Sequence, residues 1–193
     1  MKILLFLTLI GLGFIANASE GLTWNEGVLV LTDGRVKQGA VAFQVSEIVL
    51  FRVNGEVTVY TANKIHSFRY FDAKANINRK FISLSSENIR VNTIYEVVVV
   101  GKVSVLRKFK TNNINGQRNS DKDDFDYFVR CQNYTYNLSQ FRNKVYPNLI
   151  STAGELMSQI KEKHLNPNLD ADAIQIVELF NKITESSQLV AGI

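Results

Sequence analysis

Gly27-Val28-Leu29-Val30-Leu31-Thr32-Asp33-Gly34-Arg35-Val36-Lys37-Gln38-Gly39 decides the reading of this chain. Apolar, β-branched runs flank Asp33-Gly34, and a tight hairpin needs the positive φ that Gly adopts without a Cβ clash. The pattern recurs at Asn54-Gly55, which separates Val49-Leu50-Phe51-Arg52-Val53 from Val57-Thr58-Val59-Tyr60. Working outward gives strands over residues 28–32, 36–45, 48–53, 57–61 and 65–71. Gly39 within the second strand marks a bulge or a sharp bend. Ala62-Asn63-Lys64 is short enough for one helical turn. Ile65, Ser67, Arg69 and Phe71 alternate with His66, Phe68 and Tyr70. Neither set is cleanly polar, so both faces of that strand are expected to be partly covered. Trp24 is expected to pack one end of this sheet.

Five strands in hairpin order, a bend in the second and one turn before the last resemble a small SH3-like or Sm-like barrel over residues 27–71. That resemblance implies a closed sheet without exposed edges. An open meander packed on later elements is the alternative.

Residues 73–92 read as a connecting region with one short strand over 81–84. Glu96-Val97-Val98-Val99-Val100 is a continuous apolar run, as in a strand covered on both faces or facing a partner. Gly101-Lys102 turns it back into Val103-Ser104-Val105-Leu106-Arg107-Lys108-Phe109. Residues 111–124 are polar without apolar period and read as a mobile loop. Residues 125–138 give another hairpin, turning at Gln132-Asn133. After Tyr146-Pro147 the period becomes helical. Ser151-Thr152 offers an N-cap ahead of Leu156, Ile160 and Leu165, and Asn166-Pro167-Asn168 breaks the helix. Asn168 or Asp170 caps a second helix carrying Ala173, Ile174, Val177, Phe180 and Ile183 at three- and four-residue spacing. The expected class is α+β: β-rich, with antiparallel hairpins and a C-terminal two-helix hairpin. The divisions are 1–18 (signal peptide), 19–80 (first β region), 81–147 (second β region), 148–185 (helical hairpin) and 186–193 (flexible tail).

Met1-Lys2, an apolar stretch over residues 3–15 and Ala16-Asn17-Ala18 form a secretory signal, with cleavage expected after Ala18. The stretch is too short and wrongly flanked for a membrane span, so the mature chain carries none. Of 193 residues, 193 − 18 = 175 remain, enough for one domain with a core or two small ones. The whole chain holds 22 basic and 18 acidic residues; losing Lys2 leaves 21 − 18 = +3. That excess, without a dense basic patch, excludes nucleic acid as the natural partner. Cys131 is the single cysteine, so no intrachain disulfide forms, and a bacterial envelope suits such a chain. Flanked by Val129 and aromatic neighbours, Cys131 reads as a strand residue rather than a reactive thiol.

Chemistry-bearing motifs are sparse. His66 and His164 lack partners at metal-ligand spacing, and there is no G-x-S-x-G turn or Gly-rich phosphate loop. Asp121, Asp123, Asp124 and Asp126 supply oxygen ligands suited to Ca²⁺. Their spacing lacks the Gly and distal Glu of an EF-hand, and a solvated loop is the stronger reading. No cofactor is implied. Tyr127, Tyr134, Tyr136, Phe141 and Tyr146 form the candidate binding surface, since aromatic side chains give rigid contact area for a glycan or peptide. A sheet core with tyrosines at its rim is the plainer reading. Asn133-Tyr134-Thr135 and Asn137-Leu138-Ser139 are glycosylation sequons without meaning in that compartment.

The signal, Trp24-Asn25-Glu26-Gly27 leading into the Asp33-Gly34 hairpin, Phe68-Arg69-Tyr70-Phe71-Asp72, Arg79-Lys80-Phe81, Tyr95-Glu96-Val97 with Gly101 and Leu106-Arg107, and Ile160-Lys161 to Leu165-Asn166 with Phe180-Asn181 lie along the chain. With these features the whole chain resembles uncharacterised secreted proteins of Bacteroidetes bacteria. That resemblance implies no activity. The expected function is a non-enzymatic binding or structural module of the envelope, periplasmic or extracellular, with a protein or glycan partner. A carrier of small apolar ligands is the alternative and would need an enclosed apolar cavity. A carboxylate-dependent hydrolase ranks last and would need converging acids, one with a raised pKa.

Overall fold

The computed structural model describes residues 22–45, 47–86, 89–110 and 125–191. The expected signal peptide, the loop over 111–124 with Asp121, Asp123 and Asp124, and the last two residues lie outside them. The described chain is α+β. Ten strands form one antiparallel sheet: β1 (Asn25–Leu31), β2 (Val36–Val45), β3 (Ile48–Val53), β4 (Glu56–Thr61), β5 (Ile65–Asp72), β6 (Ile77–Ser86), β7 (Ile89–Val99), β8 (Val103–Phe109), β9 (Phe125–Cys131) and β10 (Tyr134–Asn137). Their order is β10-β9-β8-β7-β6-β5-β1-β2-β3-β4. Four helices follow: α1 (Phe141–Lys144), α2 (Tyr146–Thr152), α3 (Leu156–Glu162) and α4 (Asp170–Ala191).

The turns follow local chemistry. Asn54 (φ 51°) and Gly55 (φ 86°) both take positive φ, as a two-residue hairpin loop demands. At the first hairpin only Gly34 does so, with φ 86°. Its N–H donates to Leu31 at 3.0 Å and the Leu31 N–H donates to Arg35 at 2.9 Å. The loop is therefore three residues long, a turn followed by a left-handed Gly. Gly39 marks no bulge: the β1–β2 register runs through it unbroken, and the β2–β3 register shifts between Phe43 and Val45.

The expected closed SH3-like barrel is not supported, because the sheet is open. The hairpin order and the 3-10 turn before the fifth strand (Ala62–Lys64) are as read from the sequence, and β5 pairs with β1. Closure fails for a simple reason: β5 pairs with β1 on one edge and β6 on the other, leaving β4 no edge to close onto. The residues expected as a connector, 73–92, supply β6 and the start of β7, and the expected division at 80/81 falls inside β6. The sheet nevertheless curls. Phe43 of β2 and Phe81 of β6 stand three strands apart in order, about 14 Å along a flat sheet. Their rings are 5.1 Å apart. Phe68 stacks on Phe81 at 4.5 Å, and Phe43 meets Phe68 edge-on at 5.3 Å. Leu29, Val41, Val49, Phe51 and Ile65 complete this first core. The β1–β5 register shifts between Val30 and Leu31, so Ile65 and Phe68 are both buried despite their odd spacing.

A second core lies on the same face. Cross-strand partners share a face and alternate with period two. Phe81 opposes Glu96, Glu96 opposes Arg107 and Arg107 opposes Tyr127. Val103, Val105 and Val129 therefore face the same way as Phe81. The helices cover them with Phe141, Leu149, Leu156, Ile176, Val177 and Phe180. Val99 is buried there, whereas Val98 and Val100 beside it are exposed, so the apolar run is covered only in part.

The helical layer corrects four expectations. It begins at Phe141 and holds four helices, not two. Pro147 starts α2 instead of ending a strand pattern, because a first-turn Pro needs no N–H. Ser151 and Thr152 close α2 and donate their hydroxyls back to Asn148 at 3.0 and 2.8 Å. The tail expected from residue 186 continues α4 to Ala191. His164 sits at the end of α3 with φ 54°. The Leu165 N–H reaches Ile160 at 3.0 Å, the six-to-one closure of a Schellman turn. Glycine is the usual occupant there. His164→Gly is expected to stabilise the fold by about 1 kcal/mol, seen as a higher urea midpoint at unchanged slope.

Candidate functional site

The face between the two cores carries an ion ladder. Arg79 donates to Asp72 at 2.7 Å and to Glu96 at 2.6 Å. Arg107 donates to the second Glu96 oxygen at 2.8 Å. The four side chains come from β5, β6, β7 and β8, and they meet because the register stacks them on one face. They are only 12–21% exposed. The Arg107 guanidinium also lies 4.1 Å over the Phe125 ring. Asp72 additionally accepts the Ala75 N–H at 3.1 Å, fixing the β5–β6 turn.

The electrostatics are those of a satisfied network. The Arg79 guanidinium, with the Ala75 N–H, holds the Asp72 carboxyl below its usual 3.8. Burial opposes the charges of Arg79 and Arg107, yet their carboxylate partners, joined at Arg107 by Tyr127, raise both guanidinium pKa values. Two carboxylates balance two guanidinia. The cleft beside them, between Phe43, Phe81, Phe109 and Phe125, offers about 10 Å³, room for one water. The ladder pins four strands together.

A larger recess of about 300 Å³ opens at the β3–β4 end. Lys37, Asn54, Glu56 and Thr58 line it beside Phe51 and Val53. The Lys37 ammonium lies 5.8 Å from the Tyr60 ring centre. On the opposite face of the same strands, Val57 (51%) and Val59 (58%) are exposed, and the Arg52 guanidinium covers Trp24 at 4.4 Å. β4 ends the sheet.

The aromatic candidates do not share one surface. Phe141 is fully buried and Tyr127 faces the ladder. Tyr136 packs on the second core, and Tyr146 points its hydroxyl at the Met157 sulfur at 3.9 Å. Tyr134 is 54% exposed and stacks on Tyr136 at 6.2 Å. Asp126, the one described member of the Ca²⁺ candidates, lies on β9 opposite Lys108. Among the described residues no group of three His, Cys, Asp or Glu side chains could hold a metal ion. His66 is exposed, and Cys131 is half-buried against the second core. Asn137 of the second sequon accepts from the Ser139 N–H and hydroxyl at 3.0 and 2.7 Å.

The residues that sequence reasoning missed are Asp72, Arg79, Glu96 and Arg107, along with the valines of β4. Asp72 and Arg79 border a stretch whose polar residues at 72, 74, 76 and 78 alternate with apolar ones, a strand-like signal; nothing comparable marks Glu96, Arg107 or the valines. Comparisons with protein-family models, curated proteins and solved structures returned no match.

Because the Asp72 pKa is depressed on folding, its contribution is present above the ordinary carboxylate value and lost as pH falls through the folded value. Asp72→Asn is expected to be less stable than the parent at pH 7. The gap should close as pH drops below 3.8, read from denaturation midpoints across pH.

Proposed function

We propose that the chain is an exported, non-enzymatic binding or structural module of the bacterial envelope, engaging its partner through the outer edge of β4. The observation that carries this reading is the pair Val57 and Val59, both more than half exposed on the terminal strand of the sheet. Apart from Glu56 at its start, β4 contains no charged residue and no Pro, the residues that ordinarily guard a sheet edge. Exposed β-branched side chains on such a strand are a contact surface in waiting. The leader sequence and the resemblance to secreted Bacteroidetes proteins support the compartment. Among the described residues no helix is long and apolar enough to cross a membrane.

The carrier reading fits less well. The first core is filled by stacked rings, and the recess of about 300 Å³ is lined largely by polar groups. A hydrolase would want a carboxyl with a raised pKa, whereas that of Asp72 is lowered by Arg79. The test is cell fractionation with intact-mass measurement, on the parent and on Val57→Lys/Val59→Lys. The expected result is a chain starting at Ser19 in the envelope fraction, retained there by the parent and at least tenfold less by the variant. A cytosolic chain that keeps Met1, or equal retention of the variant, would contradict the reading.

A further inference from the structure

The β4 edge has chemistry that selects its occupant. The two-residue loop Asn54-Gly55 makes Val53 and Glu56 the first hydrogen-bonded pair of the hairpin. Glu56, Thr58 and Tyr60 therefore direct their backbone groups to β3. Val57 and Val59 direct theirs outward, where no strand pairs with β4 among the described residues. Two outward-facing residues flanking one inward-facing residue is the pattern a two-fold axis needs. An antiparallel copy centred on Thr58 would set Val57 against Val59 of the other copy, twice. Both pairs would be hydrogen-bonded, and Thr58 would meet Thr58 between them.

The charges agree with this register. On the recess face, Glu56 would oppose Tyr60 of the other copy. That ring already carries the Lys37 ammonium at 5.8 Å. Within one copy, neither Glu56 nor Lys37 forms an ion pair among the described residues. Antiparallel pairing would give each carboxylate an ammonium across the axis. Shifting the axis to Val59 would set Glu56 beyond the strand, against Ala62, and lose that pairing.

We infer that the partner of the β4 edge is a second copy of this chain, joined antiparallel about Thr58 into one continuous sheet through two Val57–Val59 pairs and two Glu56–Lys37 contacts. This rests on the reading of β4 as the contact edge and names its occupant. An isologous contact of this kind closes on itself and stops at two copies.

The test is sedimentation of the purified protein over a concentration series, with charge-reversal variants. The parent is expected to double its mass as concentration rises. Glu56→Lys and Lys37→Glu should each weaken self-association at least tenfold, and Glu56→Lys/Lys37→Glu together should restore it. In a Cys131→Ser background, Thr58→Cys should form a disulfide-linked dimer on mild oxidation, because Cα atoms of a non-hydrogen-bonded pair lie about 4.5 Å apart. Val59→Cys should stay reduced. A parent that remains monomeric, a charge swap that fails to restore pairing, or crosslinking through Val59 alone would overturn the inference. If the parent is monomeric while Val57→Lys/Val59→Lys still releases the chain from the envelope, self-pairing is wrong and the edge reading survives. If neither changes, both fail.

Discussion

The structure hangs on one side-chain amide. Asn181, on α4, is the buried polar side chain among the described residues, at 5% exposure. Its oxygen accepts the Val103 N–H at 3.0 Å, and its NH₂ donates to the Val103 carbonyl at 2.8 Å. Both are strand groups that β7 no longer reaches, since the last β7–β8 pair is Val99 with Val105. Asn181 thus stands in for a missing strand partner at the hairpin tip. Leaving either group bare in this core would cost about 1–3 kcal/mol. Gly101 makes the approach possible, because a Cβ there would overlap the Asn181 carboxamide. Apolar packing holds the helices against β8 and β9, but it is non-directional. The amide fixes where along the sheet α4 sits.

From that anchor the division of the molecule follows. Both cores occupy one face of one sheet, the first where strands curl over aromatic rings, the second under the helices. Between them the face stays polar, and the Asp72–Arg79–Glu96–Arg107 ladder satisfies it internally. The interior is therefore spent on structure: rings fill one core, helices fill the other, and the ionisable groups in between neutralise one another. What remains open to a partner is the periphery. Of the two sheet ends, β10 is short and joined to the helical layer, with Tyr136 packed on the second core. β4 keeps its valines in solvent. The functional reading thus comes from what the packing leaves over.

Sequence reasoning went furthest where backbone geometry constrains residue choice. Asn54-Gly55 announces its hairpin because both positions need positive φ, and Gly101-Lys102 turns where expected. It failed where partly buried polar residues find partners on other strands. Arg79 looks like a connector residue in one dimension, and Ser83 and Glu96, though read as strand residues, show no partner there. In the fold, Arg79 and Glu96 bond each other, and the Ser83 hydroxyl donates to Ala62 at 2.7 Å. Reading β6 as a connector with only a short strand over 81–84 hid its pairing with β5, which keeps the sheet open. Pro147, Ser151 and Thr152 carry ambiguous signals, since the same residues begin and end helices. Composition likewise cannot separate Phe141, wholly buried on α1, from Tyr134, exposed on β10, because burial depends on how helix and strand pack in the fold. Asn181 did leave a trace: it falls four residues after Val177, on the apolar stripe of α4, where a polar residue calls for a partner.

The most direct test of the anchor is a double-mutant cycle on Gly101 and Asn181, measured by denaturant unfolding. Gly101→Ala and Asn181→Ala should each destabilise, the first by overlap with the carboxamide and the second by baring the Val103 backbone. Removing the carboxamide also removes the overlap, so the double variant should cost less than the sum by at least about 1 kcal/mol. Costs that simply add, or an Asn181→Ala variant as stable as the parent, would contradict the account.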